Sequence, residues 1–241
     1  MKTIIHKRTI KGIKTLEYSS KKADKLLFLQ HGIHSQKEKV MHLLGVSFVK
    51  LGYHVVAIDA AKHGARIEEP FLSKDEDLCE LETMYVVKQT SEDIKNIYED
   101  TFRSEFDGFD FIGVSMGGLI GYYLSTITDQ IDQLVALISS PKFLEAAQYT
   151  FPEARQKKYP EQTKTTHAFI ESIDPSTRPE SMVFNRLIML NGTYDRVIPS
   201  SQSETFLDEN PQRNIIFRCY ETGHKIVQKM HKDLLAYLKN K

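Results

Sequence analysis

The stretch FDFIGVSMGGLIGYYL, at positions 109–124, carries the strongest structural signal in the chain. Its apolar run 109–114 predicts a strand, and the apolar side chains after this run recur at the spacing of a helix. Ser115 stands where the two meet, with Gly113 two positions before it and Gly117 two positions after it. A serine on so tight a turn needs glycines there, because side chains would collide with the adjoining strand and helix. The stretch therefore predicts a serine hydroxyl at a helix N-terminus, where free N–H groups favour negative charge.

Two other interpretations of this stretch stay open from its residues alone. A glycine-rich turn can simply let a helix pack closely against a strand. A phosphate-binding loop is a weaker interpretation, because the stretch lacks the Gly-Lys-Ser/Thr ending of such loops. A nucleophilic serine needs a base and a group that orients the base, so the choice depends on residues elsewhere in the chain.

Further apolar runs on both sides of this stretch predict the remaining strands. They alternate with segments of helical spacing, as in βαβ units, and the runs LVALI (134–138) and NIIF (214–217) lack the alternation of a sheet with one solvated face. Residues 2–8 and 13–18 flank a Lys-Gly pair and predict an antiparallel hairpin. We therefore expect an α/β fold whose mostly parallel sheet has helices on both faces. The predicted strands are 26–30, 54–59, 109–114, 134–139, 186–191 and 214–220, and the predicted helices are 90–101, 116–127 and 227–238.

Candidates for the base and for its orienting partner follow two later strands. Asp195 comes after the run 186–191, and His224 comes after the run 214–220. Taken singly, Asp195 also fits a turn or helix cap, and His224 also fits a simple loop residue. Because the C-terminal ends of parallel strands share one edge of the sheet, both should lie near Ser115. The order Ser115, Asp195, His224 is the one expected when nucleophile, acid and base come from successive strand ends.

Backbone donors for an oxyanion are predicted beside this serine. The segment HGIH, residues 31–34, directly follows the run 26–30, and Met116 directly follows Ser115. Acyl transfer passes through a tetrahedral oxyanion that two backbone N–H groups stabilise, and Ile33 and Met116 are the candidate donors. A metal site at the histidines of this segment and at His63 is a weaker alternative, because no carboxylate or cysteine stands at ligand spacing. We expect neither a metal nor another cofactor.

One interval, about 141–182, breaks the alternation of strands and helices. It contains five prolines interleaved with aromatic residues, and its charges balance. We interpret it as a small, partly helical lid insertion within a single domain spanning 1–241, although a long structural loop also fits. From this insertion Phe143 and Tyr149, together with His34, are predicted to contact the substrate.

Composition excludes several classes of partner. Of 241 residues, 41% are hydrophobic and 27% are charged, which is typical of a folded globular chain. Basic and acidic residues number 32 each, so no overall positive field attracts a nucleic acid. Cys79 and Cys219 lack the spacing of a disulfide framework or a zinc site. With neither a signal peptide nor a membrane span in the sequence, we expect a cytoplasmic protein that acts on a small molecule.

Four features carry a resemblance to the α/β-hydrolase superfamily that extends over essentially the whole chain. They are His31-Gly32, the strand-to-helix turn at 113–118 (the elbow), Asp195 and His224. The segment DAAKHGAR, residues 59–66, also resembles a stretch of small bacterial esterase-like members related to dienelactone hydrolases. The resemblance implies an eight-stranded sheet, an esterase with Ser115 as nucleophile, and oxyanion donors at Ile33 and Met116. Dienelactone hydrolases themselves use a cysteine, so their substrate is not expected here.

For the segment 59–66, a turn stabilised by side-chain hydrogen bonds is the favoured interpretation. The function expected overall is a serine hydrolase that cleaves carboxylic esters of small to medium acyl groups through an acyl-enzyme. A thioesterase, peptidase or acyltransferase with the same three side chains is the alternative within enzymes. A binding protein that holds a small ligand without turnover is the alternative outside them.

Overall fold

The computed structural model describes residues 2–67, 82–150 and 157–239, without the side chains of residues 149, 150 and 162. Eight strands form one sheet in the order β1-β2-β4-β3-β5-β6-β7-β8. The strands are β1 (Ile4–Ile10), β2 (Ile13–Ser19), β3 (Lys25–Gln30), β4 (Tyr53–Ile58), β5 (Phe109–Val114), β6 (Ile131–Leu137), β7 (Arg186–Gly192) and β8 (Ile215–Tyr220).

The sheet is mostly parallel. Strand β1 pairs antiparallel with β2, and β2 pairs antiparallel with β4. All strands from β4 to β8 in the sheet order pair in parallel. This confirms the predicted α/β fold with its eight-stranded sheet and N-terminal hairpin, and it brings the C-terminal ends of the six parallel strands to one edge.

Helices cover both faces of the sheet, as the apolar runs predict. Along β3, Leu26 and Phe28 belong to one buried cluster, while Leu27 and Leu29 belong to the other. The first cluster includes residues of the helices before and after β5, and the second includes residues of the first two helices and the last one. The helices are α1 (Lys37–Val40), α2 (Val46–Val49), α3 (Thr83–Ile97), α4 (Met116–Leu124), α5 (Phe143–Thr150), α6 (Pro160–Ile173), α7 (Ser200–Glu209) and α8 (Gln228–Lys239).

Two predicted helix boundaries are wrong. Helix α4 ends at Leu124 rather than 127, because the Ser125 hydroxyl donates a 2.7 Å hydrogen bond to the Tyr122 carbonyl and competes with the helix pattern. Helix α3 begins at Thr83, seven residues before the predicted start at residue 90. It continues as a π-helical turn that comprises Tyr98–Phe102. Its apolar anchors Met84, Val86 and Val87 are buried and stabilise this earlier start.

The interval 141–182 is helical where the structure describes it. Helices α5 and α6 are followed by two 3₁₀ turns, Pro175–Thr177 and Pro179–Ser181. The carboxylate of Asp174 ties the interval together, because its Oδ1 accepts the Ser176 N–H and its Oδ2 accepts the Leu144 N–H at 2.9 Å. The described part of the interval is thus an ordered pair of helices, and its action as a lid stays a prediction.

A buried carboxylate in the N-terminal hairpin stabilises the sheet far from the predicted site. Glu17 on β2 accepts a bidentate pair from Arg8 at 2.6 and 3.0 Å. It also accepts from the Thr15 hydroxyl at 2.7 Å and lies 2.9 Å from His54 Nε2. Burial by itself raises the pKa of Glu17, but the hydrogen bonds from His54, Arg8 and Thr15 outweigh burial and lower it from 4.5 to about 2.

Acid should therefore unfold the protein partly through Glu17. A lowered pKa contributes stability above the unfolded-state value of 4.5, and that contribution is lost as the pH falls towards about 2. At neutral pH, Glu17→Gln should cost about 3 kcal/mol in the free energy of unfolding, and this cost should shrink steadily below about pH 4. Urea titrations at several pH values measure it, with the exposed Glu105→Gln as the matched control. A cost that is absent at neutral pH, or constant with pH, contradicts the assignment.

Candidate active site

Ser115 occupies a strained turn between β5 and α4. Its backbone has φ 54° and ψ −116°, in the left-handed half of conformational space that favours glycine. A side chain at Gly113 would overlap the carbonyl of Gly117, and a Cβ at Gly117 would lie 2.5 Å from the carbonyl oxygen of Gln30. The requirement for glycine two positions before and after the serine is thereby confirmed. The turn presents the hydroxyl at the start of α4.

The structure brings the three predicted side chains together at the C-terminal edge of the sheet. His224 Nε2 lies 2.8 Å from Ser115 Oγ, and His224 Nδ1 lies 2.8 Å from Asp195 Oδ2. The imidazole can donate its Nδ1–H to the carboxylate while its Nε2 accepts the serine O–H. This is the arrangement of nucleophile, base and orienting acid that hydrolytic sites use.

The carboxylate of Asp195 is fixed on both of its oxygens. Its side chain is fully buried, and Oδ1 accepts the N–H groups of Val197 at 2.8 Å and Ile198 at 3.0 Å. Burial raises the pKa of Asp195, but hydrogen bonds from His224 and the Ile198 N–H outweigh it, so the pKa lies below its ordinary value. The group is therefore an anion at neutral pH, with Oδ2 directed at His224.

The two predicted oxyanion donors lie beside the serine. Ile33 and Met116 line the same cavity as Ser115. A Cβ built on Gly32 would lie 3.3 Å from Ser115 Cβ, so the loop after β3 passes directly over the elbow. Met116 is the first residue of α4, and the first N–H groups of a helix have no acceptor within it. Both peptides are thus close enough to be considered as donors.

The cavity beside Ser115 is small and apolar. Its volume is about 110 Å³, and the insertion contributes Ala146 and Ala147 from α5 and Ile170 from α6. Met84, at the start of α3, forms another part of the wall. A site of this kind favours an uncharged hydrocarbon group next to the hydroxyl.

Two of the three predicted substrate contacts do not line this cavity. Phe143 is completely buried in the core and does not line this cavity; Ala146 and Ala147, one helical turn further along the same face of α5, line it instead. His34 is exposed, with φ 55°, and it does not line the cavity either. The side chain of Tyr149 lies outside the described residues. The sequence signal that could have identified the lining of the cavity is the pair of small apolar residues, Ala146 and Ala147, one helical turn after Phe143.

The segment 59–66 forms the predicted hydrogen-bonded turn. Asp59 is buried, and its carboxylate accepts the Lys37 N–H at 2.8 Å, the Lys37 ammonium at 2.5 Å and the Ala65 N–H at 2.9 Å. Arg66 donates to the Asp59 carbonyl at 3.1 Å and to the Asp93 carboxylate at 2.6 Å. These contacts hold the loop after β4 in place next to the loop after β3.

Neither a metal centre nor a membrane span is found in the described residues. No group of three or more His, Cys, Asp or Glu side chains within 2–67, 82–150 and 157–239 could hold a metal ion. In the same parts of the chain, no helix is both long and apolar enough to cross a bilayer. Cys79 lies outside the described residues, and Cys219 is an exposed free cysteine.

Known proteins share this fold and, more distantly, this sequence. No family model matches the chain. A relative from Bacillus subtilis (strain 168), named "Putative esterase YitV", is 26% identical over 92% of this chain and 92% of its own length. The crystal structure of TT1662 from Thermus thermophilus superposes with a TM-score of 0.82 and 22% identity, over 100% of this chain and 98% of that one. The chain has the α/β-hydrolase fold, and the relative that it resembles in sequence is named an esterase.

The same fold is found in the Pyrococcus furiosus esterase Pf2001. That structure superposes with a TM-score of 0.64 and 17% identity, over 99% of this chain and 92% of the other. The hydrolase fold places ligands at the C-terminal edge of the parallel strands, which is the edge where Ser115 lies. The fold and the local geometry therefore single out the same edge of the molecule.

Proposed function

We propose that this α/β-hydrolase is a serine esterase that cleaves carboxylic esters with small apolar acyl groups through an acyl-enzyme on Ser115. The observation that carries the proposal is the hydrogen-bonded chain from Asp195 through His224 to Ser115, with both links at 2.8 Å. The relative from Bacillus subtilis, whose name describes an esterase, supports ester cleavage as the reaction.

The proposed reaction has two steps that use the same groups, acylation of the serine and hydrolysis of the acyl-enzyme. Ser115 Oγ attacks the ester carbonyl as His224 Nε2 takes its proton, and the C=O electron pair moves onto oxygen. The N–H groups of Ile33 and Met116 stabilise this oxyanion. The imidazolium then gives its proton to the leaving alkoxide, so an alcohol departs and an acyl-serine remains. Water repeats the sequence and releases the carboxylic acid, which restores the serine.

The cavity sets the size of the acyl group. An apolar cavity of about 150 Å³ binds benzene, so 110 Å³ accommodates roughly four or five non-hydrogen atoms. Its walls are almost entirely hydrocarbon, and a charged acyl group would lose its hydration there without gaining a partner. The preferred substrates are therefore esters of short, uncharged acids of about four carbons.

A panel of p-nitrophenyl esters from acetate to octanoate tests both reaction and size. We expect kcat/KM to be highest near butanoate and to fall about tenfold or more by octanoate, because the longer chain does not fit within the cavity. Ala147→Leu fills part of the cavity and should lower the butanoate-to-acetate ratio about tenfold, whereas the exposed Ala236→Leu should leave it unchanged.

Several outcomes of this panel contradict the proposal. Equal rates on all chain lengths contradict the assigned acyl pocket. Turnover confined to acyl thioesters, included as a parallel series, assigns the site to a thioesterase instead. Absence of turnover on every compound, in a folded protein, favours a binding function.

A further inference from the structure

His31 has two hydrogen bonds that together determine which ring nitrogen carries a proton. The side chain is buried at the end of β3, with Nδ1 2.7 Å from the Gly32 carbonyl oxygen and Nε2 3.0 Å from the Ala60 amide nitrogen. The Ala60 N–H is a donor, so Nε2 accepts this bond and carries no hydrogen. The Gly32 carbonyl is an acceptor, so Nδ1 must donate.

Burial favours the neutral ring that this pattern requires. Burial is the main cause that lowers the pKa of His31 from 6.5 to about 4; the nearby His63 and Lys37 act in the same direction, and the Gly32 hydrogen bond and Asp59 act against it. The His63 ring centroid is 5.5 Å away, and Asp59 Oδ1 is 4.0 Å from His31 Nε2. At neutral pH the ring has one proton, and the hydrogen-bond pattern places that proton on Nδ1.

The carbonyl that His31 holds belongs to the same peptide plane as the Ile33 N–H. In a trans peptide these two groups point in opposite directions, so fixing one fixes the other. We propose that His31 is a positioning residue that locks the Gly32–Ile33 peptide with its N–H directed at the oxyanion formed on Ser115. The inference rests on the proposed function, because it assumes that an oxyanion forms there.

The loop after β3 has a particular need for such a lock. Gly32 has no side chain to restrict it, and His34 two residues later has a left-handed φ of 55°. A flip of the intervening peptide would turn a carbonyl oxygen towards the site and repel the oxyanion. The loop's two ends are fixed to the same neighbour, since His31 is bonded to Ala60 and Lys37 is bonded to Asp59 at the end of β4. The middle of the loop therefore depends on the His31 Nδ1–H.

Two conservative substitutions separate this role from simple packing. The amide nitrogen of an asparagine falls near the position of Nδ1, so His31→Asn keeps a donor for the Gly32 carbonyl. The amide of a glutamine falls near Nε2, so His31→Gln keeps a partner for Ala60 but loses that donor. We expect His31→Gln to lower kcat by about 10²- to 10³-fold with little change in KM, and His31→Asn to stay within about tenfold of the unsubstituted enzyme.

A transition-state analogue sharpens the same comparison. A trifluoromethyl ketone adds to the serine and forms a stable oxyanion, so its inhibition constant should rise in His31→Gln by the same factor as kcat/KM falls. Urea unfolding of both variants establishes that they are folded. Equal losses of kcat in the two variants, or a full kcat in His31→Gln, overturn the inference.

Nitrogen-15 NMR of the unsubstituted enzyme supplies a test that needs no variant. We expect the His31 ring to show a protonated Nδ1 and an unprotonated Nε2 at neutral pH, and a protonated Nε2 overturns the inference. The proposed function is tested by the turnover of the wild-type enzyme and by the loss of turnover in Ser115→Ala. Its failure can therefore be distinguished from a failure of the role proposed for His31. An enzyme that is active through Ser115 but indifferent to His31→Gln contradicts the lock alone, whereas an inactive wild type removes both proposals.

Discussion

Replacing Ser115 with alanine should lower kcat for p-nitrophenyl butanoate by about 10⁵- to 10⁶-fold, on the scale seen when other serine nucleophiles are removed. The variant loses the only atom that forms the covalent bond, while the oxyanion donors and the cavity stay in place. Alanine keeps the Cβ, so it adds no strain to the positive φ of 54° and the fold should persist.

The measurement is steady-state turnover with the folded state followed by circular dichroism. Ser104→Ala, on an exposed residue away from the site, is the matched control and should retain full activity. A Ser115→Ala variant within tenfold of the unsubstituted enzyme contradicts the proposed nucleophile.

Replacing Asp195 with asparagine should lower kcat by about 10⁴-fold near neutral pH. The effect is large because the hydrogen bonds at Asp195 leave asparagine only one orientation. The amides of Val197 and Ile198 both donate to Oδ1, so an asparagine must leave its oxygen there and turn its NH₂ group towards His224. His224 Nδ1 must then accept, which moves the ring proton to Nε2 and prevents this nitrogen from taking the proton of Ser115.

The pH dependence of the unsubstituted enzyme provides a further constraint on Asp195. Because hydrogen bonds hold the pKa of Asp195 below its ordinary value, its carboxylate stays charged through the mildly acidic range and should not itself limit activity there.

The exposed Asp208→Asn, in α7, is the matched control for the Asp195→Asn substitution. A kcat for Asp195→Asn that stays within tenfold of the unsubstituted enzyme contradicts the assigned role of the carboxylate.

The elbow and the strand ends could be predicted because their signals are local. The glycines two positions before and after Ser115 are required by the crowding within a single turn. Asp195 and His224 each follow an apolar run that predicts a strand. Parallel pairing then brings three distant segments to one edge without any further information. The eight-stranded sheet follows from the same local runs together with the resemblance to hydrolases.

The cavity lining could not be predicted, because it depends on how one helix packs. Phe143 is the conspicuous aromatic residue of the insertion, yet packing against the core takes it fully out of the site. Ala146 and Ala147, one helical turn further along α5, line the cavity instead. The partner of His31 is equally non-local, since Ala60 follows a different strand and lies beside the ring only in the folded protein.

The most direct test of the central claim is the site of covalent labelling by a fluorophosphonate, measured by intact mass and peptide mapping. Attack by the activated serine displaces fluoride and leaves a phosphonyl group on Oγ. The account predicts one adduct per chain, located on Ser115, formed in step with the loss of esterase turnover and absent from Ser115→Ala. An unlabelled wild-type protein, or an adduct on another residue with turnover unaffected, would contradict it.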